Sequence, residues 1–286
     1  MYYIPIIGAF LEGVGMTIEK RTLKLKEINY KNYTTYVFLA LVLVMLPLIF
    51  FFWKLDPQAY QLKNLLIFSS VVLFSILANL LIFYSLKRET LTEIEPIRLM
   101  QPLFTIVLAF AFSFIFDGIY ANEKNYEVLI LALIASMTLI ASHIKKHHLV
   151  YDKYIIAALI GSFLFAVELV ISKLILSYYS SLTFYFLRCL FIFLITFIIF
   201  KPKMNLKPKT SILLLITGAI WVIYRLILYW GYLSLGIVFT TILFILGPIF
   251  IYVFARIFLK EKITWKQVVS SIVIIGCVIA AILLQN

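Results

Sequence analysis

Several charged and polar side chains lie deep inside long apolar segments of this 286-residue chain, and their types and spacing could do chemistry. They comprise two glutamates, three arginines, an asparagine and a tryptophan: Glu12, Asn79, Arg98, Glu168, Arg188, Trp221 and Arg225. A charged side chain at the centre of a bilayer costs several kcal/mol, so one that persists there usually faces a cavity or a partner. The pattern therefore predicts a polar binding site within a membrane rather than a set of catalytic residues.

The depth of these groups follows from counting residues back to the nearest predicted loop. At a rise of about 1.5 Å per helical residue, they lie about 12–17 Å from the loops, near the bilayer midplane. Asn79 and Arg225 occupy equivalent positions in two similar halves of the chain. Trp221 precedes Arg225 by four residues and shares its helix face, where it either stacks on a ligand or on the arginine, or simply packs.

Two interpretations of this polar layer stay open. In the first, the arginines bind a carboxylate or another anionic group of a small molecule, while the carboxylates hold an amine or a coupling proton. In the second, Glu168 with Arg188 and Glu12 with Arg98 form structural ion pairs that lock helices together.

The composition identifies the surroundings of these segments. Hydrophobic residues make up 64% of the chain and charged residues 13%, with a mean hydropathy of +1.07, which is too apolar for a soluble domain. Apolar runs of about twenty residues recur, each long enough to cross about 30 Å of hydrocarbon as a helix. We therefore predict an all-α integral membrane protein with ten transmembrane helices, at residues 3–20, 34–53, 64–86, 93–116, 125–143, 154–177, 182–200, 211–233, 237–259 and 265–284.

The net charge of +12 does not indicate nucleic-acid binding, because the lysines and arginines lie mostly in short loops between the apolar runs. Loops after the odd-numbered spans carry most of them, so the positive-inside rule places both termini outside the cytoplasm. Lys20 and Lys173 end helices near the membrane surface, where long basic side chains are expected to extend towards water. His143, His147 and His148 lie beside lysines, which predicts a solvated linker and no metal site.

The chain repeats itself at half-length. The motif Ile-Gly-Ala-Phe-Leu at residues 7–11 recurs as Ile-Gly-Ser-Phe-Leu at residues 160–164. Because each half holds five spans, an odd number, the second half must cross the membrane in the opposite sense. We therefore predict two inverted five-helix repeats, residues 1–148 and 149–286, with a binding site between them.

Two prolines fall at matched positions of the repeat, Pro102 in the fourth span and Pro248 in the ninth. A proline inside a helix removes a backbone hydrogen bond, so each is expected to kink its span near the polar layer. The kinks serve either as hinges for gating or as static bends that improve packing.

With these residues in view, the chain resembles the EamA-like branch of the drug/metabolite transporter superfamily over essentially its whole length. The similarity is best from Gly236 to Pro248, in residues 258–264 (Phe-Leu-Lys-Glu-Lys-Ile-Thr) and at Gly276, which follow the family's pattern in the ninth and tenth spans. Lys20 and Lys173 resemble the family's lysine at the end of the first helix of each repeat, and Arg188 resembles its arginine early in the second.

The chain departs from the family pattern at three positions. Ala40 stands where the counterpart of Arg188 would map, Asp117 comes two residues later than a counterpart of Glu261 should, and Glu12 replaces the more usual tryptophan. The resemblance implies a carrier for small metabolites or drugs with both termini in the cytoplasm. That orientation is opposite to the one from the charge count, so the orientation stays open.

The residues and the resemblance together predict a secondary carrier in the cell membrane that moves a small polar metabolite, such as an amino acid or organic anion, by alternating access. The alternative is a multidrug exporter, which needs an apolar, aromatic cavity dominated by carboxylate. The sequence disfavours an intramembrane enzyme, because the spans lack HExxH, Gly-x-Ser-x-Gly and paired-aspartate motifs. We expect no cofactor, a monomer or homodimer, and coupling to a proton or an exchanged metabolite.

Overall fold

The computed structural model describes residues 2–25, 28–88, 97–143, 152–203, 206–250, 253 and 264–285. These residues form ten α-helices of eight residues or more. In chain order they are α1 Tyr3–Leu23, α2 Tyr30–Phe52, α3 Leu62–Arg88, α4 Met100–Ile115, α5 Tyr126–His143, α6 Lys153–Leu176, α7 Ser181–Phe200, α8 Pro208–Ser234, α9 Ile237–Phe244 and α10 Trp265–Gln285. Short helical turns lie at Pro57–Tyr60, Asp117–Tyr120 and Ala121–Lys124.

Six of these helices are long and apolar enough to cross a membrane, namely α2, α3, α6, α7, α8 and α10. A seventh candidate is the bent pair Asp117–Lys124 and Tyr126–Ser142, whose two parts meet at 70°. The apolar helices Met100–Ile115 and Ile237–Phe250 are shorter, and α1 is more polar because four of its 21 residues are charged. The prediction of an all-helical, multi-pass membrane protein is therefore confirmed, whereas ten spans in an inverted repeat stay a prediction.

The packing of the helices pairs elements of the first half with elements of the second. The contact between α3 and α6 is the most extensive, and exchanging the two halves turns this pair into the pair α1 and α8, which is also closely packed. α2 packs on its counterpart α7, α4 on α9, and α5 on α10. The core is consequently built between the halves rather than within each one.

The glycine of the repeated motif brings the most closely packed helices together. A Cβ atom at Gly161 on α6 would lie 2.9 Å from Cγ1 of Ile82 on α3. In the other half, a Cβ atom at Gly8 on α1 would lie 3.0 Å from Cγ2 of Ile227 on α8. A Cβ atom at Gly8 would also lie 2.5 Å from Cζ of Phe244 on α9, and all three distances are tighter than most Cβ contacts, so the motif recurs where helices from different halves approach closely.

The two matched prolines lie next to matched helix interruptions. α4 begins at Met100 after a turn at Leu99, and α9 ends at Phe244 before a turn at 245–246. Pro102 and Pro248 thus lie in the first turn of a new helical segment, where a missing N–H is tolerated. The sequence predicted kinks at the prolines, whereas the helices are interrupted two to three residues before them.

Candidate functional site

A cavity of about 80 Å³ lies among α1, α2, α3, α6, α7, α8 and the residues that lead into α4. Six of the seven side chains predicted to bind a ligand line it: Glu12, Asn79, Arg98, Arg188, Trp221 and Arg225. Because one water molecule needs about 10–15 Å³ of such space, the cavity has room for several. The structure therefore brings together side chains that the sequence placed in one layer from their depth alone.

The seventh residue, Glu168, is completely buried and lies between two arginines. Its Oε1 atom is 3.3 Å from Nε of Arg188, and its Oε2 atom is 3.7 Å from Nη1 of Arg225. Ser172, one turn further along α6, donates a hydrogen bond to Oε1 at 3.3 Å. Among the described residues, neither Oε2 of Glu168 nor Nη1 of Arg225 has a hydrogen-bond partner. Unsatisfied buried polar atoms are costly, and these two lie 3.7 Å apart, beyond hydrogen-bond distance.

All three guanidinium nitrogens of Arg188 donate hydrogen bonds. Its Nε atom donates to the Ser75 hydroxyl at 2.8 Å, Nη2 donates to the same hydroxyl, and Nη1 donates to the Tyr229 hydroxyl at 2.9 Å. The guanidinium group also lies 5.7 Å from the centre of the Tyr185 ring. These contacts join α7 to α3 and α8, so the structural interpretation fits Arg188.

Arg225 is held less completely than Arg188. Its side chain retains 13% of its exposure, against 1% for Arg188. Its guanidinium carbon lies 5.9 Å from the Tyr185 ring centre and 5.7 Å from that of Tyr229. Aromatic faces therefore position this arginine while Nη1 keeps its capacity to donate, and the ligand-binding interpretation fits Arg225.

Glu12 and Arg98 also line a second cavity of about 60 Å³, whose walls include Pro102 and Pro248. A Cβ atom at Gly247 would lie 2.9 Å from Oε2 of Glu12. The glycine before the second matched proline thus leaves room for this carboxylate. The helix interruptions therefore lie beside this cavity, and the role of the two prolines as hinges stays a prediction.

Two of the predicted ligand-binding residues also make local contacts. Asn79 donates a hydrogen bond from Nδ2 to the carbonyl oxygen of Ser75 at 2.8 Å, within α3. Trp221 packs edge-on against Tyr224, with ring centres 5.0 Å apart. Packing therefore accounts for part of what Trp221 does, while the indole still lines the cavity.

The sequence analysis missed several residues of the cavity wall, chiefly Glu19, Gln101, Tyr185 and Tyr224. A usable signal existed for Glu19, because it follows Glu12 by two helical turns and so shares its face. Its position beside Lys20, which the sequence places near the membrane surface, concealed this relation. The tyrosines gave no signal, since aromatic residues are common throughout this chain.

The formal charges around the cavity balance. The six groups are the carboxylates of Glu12, Glu19 and Glu168 and the guanidinium groups of Arg98, Arg188 and Arg225. Glu168 interacts with two of the arginines, Arg188 and Arg225. The two carboxylates of α1 share the cavity wall with all three arginines.

A second buried ion pair joins the halves at the end of the bundle where α9 begins. Nζ of Lys173 lies 2.6 Å from Oε1 of Glu123, and both side chains are almost completely buried. Glu123 also accepts hydrogen bonds from the backbone N–H groups of Ile237 at 2.7 Å and Val238 at 2.8 Å, where the helix dipole favours an anion. The prediction that Lys173 extends towards water is therefore wrong, because a carboxylate of the other half reaches it inside the bundle.

The fold defines a helical membrane protein with a charged cavity between its helices. A sequence model of the EamA-like transporter family matches residues 2–118 and 152–283, so the chain belongs to that family, as the resemblance predicted. Members of the family are transporters of the drug/metabolite type. No curated protein matches the chain.

Solved structures share the whole fold. One crystal structure among 26 matching chains is similar with a TM-score of 0.69 over 99% of this chain and 97% of the other. The two sequences are 12% identical, so the likeness concerns the fold alone. Residues 258–263 of the family pattern, together with His147 and His148, lie outside the described residues.

Proposed function

We propose that this protein is a secondary carrier of the cell membrane that moves a small zwitterionic metabolite of the amino-acid type by alternating access. The observation that carries the proposal is the cavity between the helices, lined by charged side chains from both halves of the chain. A carrier needs a central site that each side of the membrane reaches in turn, and the boundary between two halves is where such sites lie.

The proposal includes ten membrane-spanning helices arranged as two inverted five-helix repeats, residues 1–148 and 149–286. Three observations support it: the family's sequence model matches once in each half, helices pack in pairs that exchange with the halves, and two helices are interrupted at matched positions. Interrupted helices next to a central site are a recurrent feature of carriers, because they let one part of a helix move relative to the other.

The distribution of charge favours a zwitterion over a simple anion. A ligand carboxylate at Arg225 would supply the hydrogen-bond acceptor that Nη1 lacks. A ligand ammonium group would meet the carboxylates of Glu12 and Glu19, which line the same cavity. The cavity would then have no net charge with the ligand bound. The change between the inward-open and outward-open states would therefore move no net charge across the membrane potential.

A screen of thermal stability tests this proposal on the purified full-length protein in detergent. We expect α-amino acids to raise the unfolding temperature, whereas carboxylic acids without the amine and amines without the carboxylate do not. A ligand at about 100 times its Kd stabilises a folded protein by about 2.7 kcal/mol, which is easily measured. Stabilisation by lipophilic cations alone would contradict the proposal and favour the multidrug exporter.

A further inference from the structure

An apolar groove of about 480 Å³ opens between α3 and α7, on the outer face of the bundle. Its walls are almost wholly hydrocarbon and aromatic, with Phe68, Val72 and Leu73 on α3 and Leu187, Phe191 and Ile195 on α7. Leu73 and Phe191 remain 54% and 45% exposed, so the groove is open to the surroundings of the protein. Neither the cavity nor the proposed substrate makes use of it.

The length of the groove matches one leaflet of a bilayer. Along α3 its wall runs from Leu65 to Ile76, which at about 1.5 Å per residue is about 16 Å. Half of a hydrocarbon core about 30 Å thick is about 15 Å. A single extended acyl chain therefore fits the groove from the membrane surface to the midplane.

At one end of the groove, here called its mouth, two helix connections are joined by backbone hydrogen bonds and carry aromatic residues. The backbone N–H of Asp56 donates to the carbonyl oxygen of Tyr178 at 2.8 Å, and that of Ser180 donates to Lys54 at 3.0 Å, so the α2–α3 and α6–α7 connections hold each other. Trp53 and Tyr60 line this end and are 50% and 65% exposed. Tryptophan and tyrosine with one polar edge are typical of the headgroup level of a membrane.

The same end of the groove carries positive charge that no described carboxylate pairs with. In the described part of the chain, the other two lysines at this end of the bundle form salt bridges, Lys124 with Asp117 and Lys173 with Glu123. Lys54 and Lys63 form none, and both are exposed. Lys54 stands between the lining residues Trp53 and Leu55, and Lys63 precedes Leu65 by two residues, so both flank the mouth.

We propose that this groove binds an anionic phospholipid, with one acyl chain along α3 and α7 and the headgroup phosphate at Lys54 and Lys63. Two contributions to binding add up. Burial of the acyl chain in the apolar groove is favourable, and each lysine near the membrane surface attracts the anionic headgroup. The bound lipid would tie α2, α3 and α7 together at the membrane surface and is distinct from the transported substrate.

Native mass spectrometry of the detergent-solubilised full-length protein tests the proposal, with phosphatidylglycerol and phosphatidylcholine as probes. We expect one phosphatidylglycerol to be retained with an apparent Kd about tenfold lower than that of phosphatidylcholine. The variant Lys54→Ala/Lys63→Ala should lose this preference. Lys203→Ala/Lys209→Ala, which removes the same charge at the opposite end, should keep it.

A substitution in the groove separates the acyl-chain contribution from the charge. Ser69→Trp places a large ring in the groove and should remove retention of both lipids, whereas Leu66→Trp, on the same helix outside the groove, should not. Equal retention of the two lipids by the unaltered protein would overturn the proposal. Unchanged retention by Ser69→Trp would do so as well, since the lipid would then bind elsewhere.

Discussion

Replacing Arg225 by methionine is expected to lower the rate of amino-acid uptake about 100-fold, with little change in the unfolding temperature. Loss of a buried charge that pairs with a ligand costs about 2–5 kcal/mol of binding, and about 2.7 kcal/mol corresponds to 100-fold. The fold should tolerate the change because Glu168 keeps Arg188 at 3.3 Å. Uptake into proteoliposomes and thermal unfolding of the same preparation measure the two effects.

The matched control is Arg188→Met, in which the main expected effect is a lower unfolding temperature. This substitution removes the donors to Ser75 and Tyr229 and leaves Glu168 with an arginine at 3.7 Å. Arg225 makes no such hydrogen bonds with the described residues, and leaving buried hydroxyl groups without their charged donor is costly, so the unfolding temperature should fall markedly more than in Arg225→Met. Similar losses of stability in both variants would contradict the division between a ligand-binding and a structural arginine.

The second large effect is expected at the ion pair between Lys173 and Glu123. Glu123→Ala should destabilise the protein by about 3–5 kcal/mol, because it leaves Lys173 buried without its partner and removes two hydrogen bonds to the N-terminus of α9. Lys173→Met should cost less, since the helix N-terminus still stabilises the carboxylate. Thermal unfolding of both single variants and of the double variant measures these costs, and the double variant should lose less than their sum.

An exposed ion pair close to the first provides the control. Nζ of Lys124 lies 2.6 Å from Oδ1 of Asp117, the same separation as in the buried pair, but these side chains keep 37% and 75% of their exposure. Exposed pairs contribute about 0–1 kcal/mol, so Asp117→Asn should hardly change the unfolding temperature. Equal effects of Glu123→Ala and Asp117→Asn would show that burial does not govern the strength of these pairs.

Depth along the chain was enough to predict the polar layer. Glu12, Arg98, Arg188 and Arg225 are charged residues in apolar segments, and the membrane makes such residues expensive unless they meet. Their convergence in one cavity therefore followed from counting residues to the nearest loop. The helical, multi-pass architecture was predictable for the same reason, because an apolar environment requires backbone groups to be satisfied within each segment.

The sequence did not predict that Arg188 and Arg225 have different surroundings within the polar layer. Arg188 and Arg225 look alike in sequence, and what distinguishes them is the set of hydroxyl groups that Ser75 and Tyr229 bring to Arg188 from two other helices. Serine and tyrosine are uncharged, so charge and depth could not identify them as partners of Arg188. Likewise, Lys173 was expected at the membrane surface because its carboxylate partner lies fifty residues earlier in the chain, in a connection between helices.

Counterflow in proteoliposomes tests the central claim most directly, that the charged cavity is the binding site of a carrier for zwitterions. Vesicles containing the protein would be loaded with an unlabelled mixture of α-amino acids and diluted into the same mixture carrying a radioactive label at trace concentration. We predict protein-dependent, saturable accumulation of label, accelerated by the internal amino acids and absent with Arg225→Met. Accumulation driven equally well by internal carboxylic acids that lack the amine, or unaffected by Arg225→Met, would contradict the account.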